Sequence, residues 1–187
     1  MGQTIKPTEV RAGTKLEMEG EVYVCTKYEH VNPGKGQAFV RIKVKNIKDG
    51  RVLEKTVKIG DSLEKATLIP KEVQFLYSDE ELHFMDTETY EQFSLPPEAL
   101  MGKDKWLKEN MDITLLMWND EPVDVEIPVK MEFTVTETEP GLKGDTVSNT
   151  TKPATVETGA VVQVPLFINE GEKIRVDTRD GTYVERV

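Results

Sequence analysis

The sequence has few of the residues on which most enzymatic and metal sites depend. Its 187 residues include one cysteine and two histidines. A single cysteine cannot close a disulfide within the chain, and without a closely spaced histidine or cysteine partner it predicts no zinc site. Cys25 stands in the alternating stretch EVYVCTKYEH, which predicts a buried strand position. His30 and His83 show no pairing with a nucleophile or a second carboxylate, so we expect the chain not to be an enzyme.

Long apolar runs are also missing. No stretch approaches the roughly 18 consecutive apolar residues of a membrane-spanning helix. The first residues, MGQTIKPTEVRAG, lack the apolar centre of a secretory signal. We therefore expect a cytoplasmic protein with no membrane partner.

Basic residues are outnumbered, with 24 Lys and Arg against 34 Asp and Glu and a net charge of −10. This acidity argues against indiscriminate binding of nucleic acid, because the phosphate backbone repels an acidic protein. The basic residues are unevenly placed, however. Residues 1–65 carry 13 basic against 9 acidic side chains, whereas residues 66–127 carry 4 against 15. An acidic segment is ordinarily a solvated face, but this polarity also fits a basic end that faces a polyanion.

Strand patterns dominate the basic part of the chain. In QAFVRIKVKN apolar and basic residues alternate, a period of two that buries one face of a strand and exposes the other. The exposed face carries Arg41, Lys43 and Lys45. The upstream run GEVYVCTKYEH alternates in the same way, and NPGKG between the two runs contains the Pro and Gly of a tight connection. The pattern predicts a hairpin with Lys35 near its tip.

The Gly-Lys-Gly sequence at this tip has two interpretations. It is not a phosphate-binding loop, because that motif needs a glycine five positions before Gly34 and a Ser or Thr after the lysine, where Glu29 and Gly36 stand. A lysine between glycines can instead extend into a narrow site, because the glycines remove neighbouring bulk. The alternative is an ordinary solvated turn lysine, and the residues alone leave both open.

The rest of the chain predicts further β-modules. VQFLYS and LHFMDT flank a turn at DEE, and DITLLMWNDEPVDVEIP closes a second module near residue 128. PPEALMGKDKWLKEN is the one helical pattern. After it, short β-rich runs alternate with turns at EPG, KGD, NEG and RDG, which is typical of another small barrel. We predict an all-β chain of three small β-barrels, in residues 1–65, 66–128 and 129–187.

Four stretches resemble a known family: PGKGQAF, GLKGDT, KPATVETGAVVQVPLF and GEKIRVDTRDGTYVERV. Together they resemble bacterial translation elongation factor P over essentially the whole chain. They are similar, more distantly, to the archaeal and eukaryotic initiation factor that carries hypusine. The resemblance implies an SH3-like, KOW-like barrel with the lysine hairpin, followed by two OB-type barrels, in an L-shaped arrangement that mimics tRNA.

The resemblance also implies a function. Members of the family bind the 70S ribosome between the P and E sites, beside peptidyl-tRNA, and relieve stalling at consecutive prolines. Lys35 matches the lysine that is extended after translation and faces the CCA end of the tRNA, and Pro33, Gly34 and Gly36 match its loop. PGKGQ resembles the β-lysyl-lysine type, so we expect a lysine-modifying enzyme as a partner, β-lysylation of Lys35 and no bound cofactor.

The third predicted barrel carries two further matches. Gly144, Asp145 and Thr146 match the family's loop that contacts mRNA in the E site. An aspartate there must act by hydrogen bonding, since it cannot neutralise phosphate. Tyr183 and Arg186 match a patch that faces the small ribosomal subunit.

The exposed basic face of Arg41, Lys43 and Lys45 is expected to contact the tRNA backbone, with simple solvation as the alternative. The main alternative function is a general single-stranded RNA-binding or RNA-chaperone protein built from OB-type barrels. Such proteins display aromatic stacking platforms on a basic groove. Aromatic residues make up only 7% of this chain and the later modules are acidic, which favours the translation factor. We expect a monomer.

Overall fold

The structure is a computed structural model that describes residues 2–141 and 150–187. Within these residues, antiparallel strands form three sheets, and the helical elements are three short 3-10 turns. The all-β architecture predicted from the alternating patterns is confirmed.

The first sheet is formed by the basic part of the chain. Its strands are β1 (Gln3–Ile5), β2 (Lys15–Met18), β3 (Glu21–Val31), β4 (Phe39–Asn46), β5 (Val52–Lys58) and β6 (Leu63–Lys65), and a 3-10 turn at Pro7–Glu9 follows β1. They lie in the order β1-β6-β2-β3-β4-β5. Every second residue of β4 is buried, as a period of two requires. The core of this sheet consists of Val10, Leu16, Tyr23, Cys25, Val40, Ile42, Val44, Val57 and Leu63.

The second sheet comprises β7 (Ile69–Ser78), β8 (Leu82–Met85), β9 (Gln92–Leu95), β10 (Asp112–Trp118) and β11 (Glu121–Glu126), in the order β11-β10-β7-β8-β9. The buried rings of Phe75 and Phe84 lie 5.5 Å apart. The hairpin from β10 to β11 turns at Asn119 and Asp120, whose φ angles are 47° and 62°. Two consecutive left-handed residues form the turn whose twist matches that of the flanking strands.

The third sheet comprises β12 (Lys130–Thr138), β13 (Thr151–Val156), β14 (Val161–Pro165), β15 (Lys173–Asp177) and β16 (Thr182–Arg186). Their order is β14-β13-β12-β15-β16, and the two outer strands contact each other, which curls the sheet towards closure. Its core includes Phe133, Ile174 and Val176, all fully buried.

The segment predicted to be helical differs from the prediction. It forms two short 3-10 turns, at Pro97–Leu100 and Lys103–Trp106. One continuous helix is prevented because Met101 and Gly102 have φ angles of 52° and 87°, in the left-handed region that ends a helix. Trp106 is 2% exposed, and its ring lies 5.4 Å from that of Phe133 in the core of the third sheet.

The chain divides into two compact units. The first contains residues 1–102 and 112–125, and therefore the first two sheets up to Val125. The second contains residues 103–111 and 126–187, and therefore the third sheet together with the turn that carries Trp106.

Candidate functional site

Lys35 lies in the loop that joins β3 to β4. The register of this hairpin runs from Tyr23 opposite Asn46 to Val31 opposite Phe39, so residues 32–38 form the loop. The eight residues of β4 span roughly 26 Å, since a strand rises about 3.3 Å per residue. β5 pairs with β4 from Phe39 to Lys45, so the hairpin is an arm of the first sheet and holds Lys35 in the loop at its end, as the sequence predicted.

Glycine and proline shape the loop around Lys35. Gly36 has a φ angle of +113°, which residues with a Cβ atom rarely adopt. Its nearest neighbour is Pro33, whose ring lies 3.9 Å from the position that a Cβ of Gly36 would take, and no atom lies within 4 Å of the corresponding position at Gly34. The loop therefore turns sharply at Gly36 and leaves space around the lysine.

The Lys35 side chain is exposed. Within the described residues it has no hydrogen bond and no ion pair, so its amine is available both for covalent extension and for contact with a partner. A lysine amine is a compact positive charge with three hydrogen-bond donors on a flexible stem.

The three predicted basic residues of β4 share one face of the hairpin, with two of them exposed and one half-buried. They are Arg41, Lys43 and Lys45. Neighbouring strands add Lys27, which lies opposite Lys43, and Lys58, which lies opposite Phe39. Sequence reasoning missed Lys27 and Lys58. Aligning the two strands of the predicted hairpin would have placed Lys27 opposite Lys43. Lys58 could not be found in this way, because its position depends on how β5 pairs with β4.

Two carboxylates interrupt this basic face. Glu29 lies opposite Arg41, with a carboxylate oxygen 3.7 Å from the guanidinium, and Glu54 lies opposite Lys43. The Arg41 guanidinium also lies 5.9 Å from the centre of the Phe39 ring. Among the described residues, Lys43 and Lys45 have no carboxylate within ion-pair distance. Lys43 is therefore better placed than Arg41 to bind an external anion.

A hydrogen-bond network fixes the base of the hairpin. Nη2 of Arg51 donates to Oε2 of Glu21 and to the hydroxyl of Tyr23, both at 2.8 Å, and Nδ2 of the buried Asn46 donates to the same Glu21 oxygen at 2.8 Å. The hydrogen bond with Tyr23 and the nearby carboxylates raise the pKa of Arg51. These residues join β3, β4 and the start of β5, and no sequence motif indicated them.

Comparison with known proteins covers the chain almost from end to end. The family model "Elongation factor P (EF-P) KOW-like domain" matches residues 7–63, "Elongation factor P (EF-P) OB domain" matches residues 68–125, and "Elongation factor P, C-terminal" matches residues 131–186. The chain belongs to the elongation factor P family. It is a translation elongation factor, and the predicted fold of a KOW-like barrel followed by two OB-type barrels is confirmed.

Relatives in this family match the chain over nearly their full length. Elongation factor P of Natranaerobius thermophilus is 50% identical over 184 residues, which are 98% of each chain. That of Thermoanaerobacter sp. (strain X514) is 51% identical over 180 residues, covering 96% of this chain and 97% of that protein. Among solved structures, eukaryotic translation initiation factor 5A from Methanococcus jannaschii is 19% identical, with a TM-score of 0.44, over 66% of this chain and 96% of that one.

The structure describes the predicted sites of the third barrel only in part. Gly144, Asp145 and Thr146 lie outside the described residues. Tyr183 lies on β16 opposite Val176 and is half-buried against the core of the third sheet. Arg186 is exposed, and its guanidinium lies 3.2 Å from a Glu172 carboxylate oxygen and 5.5 Å from the centre of the Phe167 ring.

Cys25 and His83, which were considered for catalysis, are both held by packing or hydrogen bonds within the fold. Cys25 is fully buried, as predicted, and burial raises the pKa of its thiol, which disfavours the reactive thiolate. His83 stacks on Tyr77 with ring centres 4.5 Å apart and hydrogen-bonds Asp79 at 2.8 Å. Across residues 2–141 and 150–187 no group of three His, Cys, Asp or Glu could hold a metal ion. In the same residues, no helix has the length and apolar character needed to cross a membrane.

Proposed function

We propose that this elongation factor binds the 70S ribosome between the P and E sites, beside peptidyl-tRNA, and stimulates peptide-bond formation when translation stalls at consecutive prolines. The observation that carries the proposal is Lys35, an exposed amine with no partner among the described residues, at the tip of the arm formed by the β3–β4 hairpin. An arm of this kind can reach the CCA end of the P-site tRNA in a narrow site.

The physical role of the arm is to position the tRNA. Proline is a poor nucleophile for geometric reasons, so ordering the end of the peptidyl-tRNA favours the attack without adding a catalytic group. The ribosome remains the catalyst, and the factor is not an enzyme in this proposal. A lysine amine can hydrogen-bond phosphate or ribose, which positions the tRNA without reading its sequence.

We further propose that a lysine-modifying enzyme extends Lys35 by β-lysylation. The exposed amine is accessible to such an enzyme, and the bend around Gly34 and Gly36 leaves space for a longer side chain. The modification would lengthen the arm and keep an amine at its end. No other cofactor enters the proposal.

The other proposed contacts assume the same placement of the factor on the ribosome, with Lys35 towards the CCA end of the tRNA. The basic face of the hairpin, with Arg41, Lys43 and Lys45, would hold the tRNA backbone. Gly144, Asp145 and Thr146 would contact mRNA in the E site, and Tyr183 and Arg186 would face the small subunit. The exposed guanidinium of Arg186, over the Phe167 ring, supports such a contact.

The proposal is tested by translating a reporter with three consecutive prolines in a reconstituted system. We expect the natively expressed factor to restore full-length synthesis and the Lys35→Ala variant to fail, with an unchanged unfolding midpoint. Lys48→Ala removes an exposed lysine outside the hairpin and serves as the control. Equal synthesis with Lys35→Ala would contradict the proposal.

Two further measurements separate its parts. Mass spectrometry of the native peptide that contains Lys35 should show an addition matching one amino acid, and an unmodified lysine would reject the β-lysylation. Binding to random single-stranded RNA as tight as binding to ribosomes with P-site tRNA would instead favour the general RNA-binding function.

A further inference from the structure

A broad cleft of about 1220 Å³ opens within the first unit, where the first two sheets meet. It lies apart from the lysine hairpin, since none of residues 32–38 lines it. Thr4 of the outer strand β1 and Phe93 of the outer strand β9 both line this cleft. The translation function described above makes no use of this surface.

Part of the cleft lining, called the floor, is apolar. Ile69, at the start of β7, is 65% exposed, a large fraction for an aliphatic side chain on a strand. Pro70, Phe93, Met117 and Trp118 continue the apolar lining. An exposed apolar surface rimmed by polar residues marks an interaction site more often than isolated exposed side chains do.

Another part of the lining, called the rim, is acidic. Its carboxylates are Glu17, Glu64, Glu91 and Asp120. Glu17 and Glu64 lie directly opposite each other on β2 and β6, an arrangement of like charges that destabilises a sheet. Within the described residues, no cation lies within ion-pair distance of these four groups.

Among the described residues that line the cleft, Lys71 is the one base, and it forms an ion pair with Asp86. Nζ of Lys71 lies 3.0 Å from a carboxylate oxygen of Asp86, and 5.5 Å from the centre of the Phe93 ring. The four rim carboxylates outnumber this lysine, so the cleft has a net negative charge. That charge repels the phosphates of RNA and attracts cations.

We propose that this cleft binds a lysine- and arginine-rich segment of a partner protein in an extended conformation. The acidic rim complements basic side chains, and the floor around Ile69 accepts the apolar side chains that alternate with them. Thr4, Glu64 and Glu17 lie side by side across β1, β6 and β2, so an extended segment would lie over this face of the sheet. A polyamine would pair with the acidic rim but would not contact the apolar floor. A nucleic acid would match neither, because its phosphates are repelled by the rim.

The test measures binding of a fluorescein-labelled 12-residue peptide of alternating lysine and valine to the full-length protein by fluorescence anisotropy. We expect saturable binding that weakens with salt, and no binding of the same peptide with glutamate in place of lysine. Neutralising the rim should weaken binding roughly tenfold, because each exposed charge pair contributes a small amount. The rim variant combines Glu17→Gln, Glu64→Gln, Glu91→Gln and Asp120→Asn.

A matched control replaces four exposed carboxylates of the same unit that lie outside the cleft. It removes the same amount of negative charge as the rim variant. It combines Asp61→Asn, Glu80→Gln, Glu88→Gln and Glu98→Gln. We expect this variant to bind the peptide within twofold of the unmodified protein. Equal loss in both variants would mean attraction by net charge alone and would overturn the proposal.

The floor is tested with Ile69→Ser, which replaces an exposed side chain and leaves the core intact. We expect weaker binding of the lysine-valine peptide and unchanged binding of spermidine. If Ile69→Ser has no effect and spermidine displaces the peptide at equal concentration, the cleft is a polyamine site and the proposal is wrong. Tighter binding of a 12-nucleotide single-stranded RNA than of the peptide would also overturn it.

Discussion

The ammonium of Lys15 lies 3.2 Å from a carboxylate oxygen of Asp124, and only 4% and 13% of the two side chains are exposed. The same ammonium donates to the carbonyl oxygens of Ala99 at 3.1 Å and Gly13 at 3.4 Å. Lys15 belongs to β2 of the first sheet and Asp124 to β11 of the second. A buried ion pair, with further hydrogen bonds from the Lys15 ammonium, thus joins the two sheets within the first unit.

We predict that Lys15→Met destabilises the protein by about 3–5 kcal/mol, because it leaves the Asp124 carboxylate buried without its counter-ion. Urea unfolding followed by circular dichroism measures the loss. The double variant Lys15→Met/Asp124→Leu should recover part of it. The matched control is Lys48→Met, which breaks the exposed Lys48–Glu121 pair and should cost less than about 1 kcal/mol. Equal losses at Lys15 and Lys48 would contradict the prediction.

The second prediction concerns acid stability. The hydrogen bond from Lys71, with the backbone amides of Glu88 and Thr89, lowers the pKa of Asp86 from 3.8 to about 2. A carboxyl whose pKa is lower in the folded state stabilises the fold above the unfolded-state pKa, and this stabilisation is lost as pH falls through the folded-state value. Part of the stability should therefore disappear between about pH 4 and pH 2.

The variant Asp86→Asn isolates the contribution of the charge to this acid sensitivity. An asparagine oxygen can still accept the two backbone amides but cannot pair with Lys71. We expect the variant to be less stable at neutral pH and to lose less stability on acidification to pH 2, measured by urea unfolding at each pH. Parallel stability curves for the two proteins would show that Asp86 does not govern this range.

The third prediction compares the two glycines beside Lys35. Gly36→Ala forces a residue with a Cβ atom to a φ angle of +113°, at a cost on the order of 1–3 kcal/mol. Gly34→Ala meets no atom within 4 Å and no positive φ angle. We expect Gly36→Ala to shift the amide resonances of residues 34–38 and to lower rescue of the three-proline reporter. Gly34→Ala should change the resonances much less, and equal effects would contradict the assigned backbone geometry.

The fourth prediction concerns the basic face of the hairpin. If Lys43 contacts a tRNA phosphate, Lys43→Gln should weaken binding to ribosomes with P-site tRNA and should reduce the salt slope by roughly 1. Arg41→Gln should have a smaller effect, because Glu29 already lies 3.7 Å from its guanidinium. Binding measured across a potassium chloride series checks both, with Lys48→Gln as the control. An unchanged slope for Lys43→Gln would indicate simple solvation.

Several elements could be predicted from local sequence alone. The alternation in QAFVRIKVKN predicted which residues of β4 are buried, and NPGKG predicted the loop that holds Lys35. The helical pattern around Trp106 was misleading, because the left-handed Met101 and Gly102 divide it and because Trp106 is buried against Phe133 in the third sheet. Nothing in the sequence indicated that Trp106 packs in the core of the third sheet, in the second unit.

The sequence by itself determined the all-β class, the hairpin and the exposed lysine, because these depend on periods of two and on turn residues that act over a few positions. Only the tertiary structure decided which charges meet. Lys15 and Asp124 are distant in the chain and pair only when two sheets come together, and the acidic cleft around Ile69 arises in the same way. Long-range pairing of this kind leaves no local pattern, since its energy comes from burial and electrostatics in the folded state.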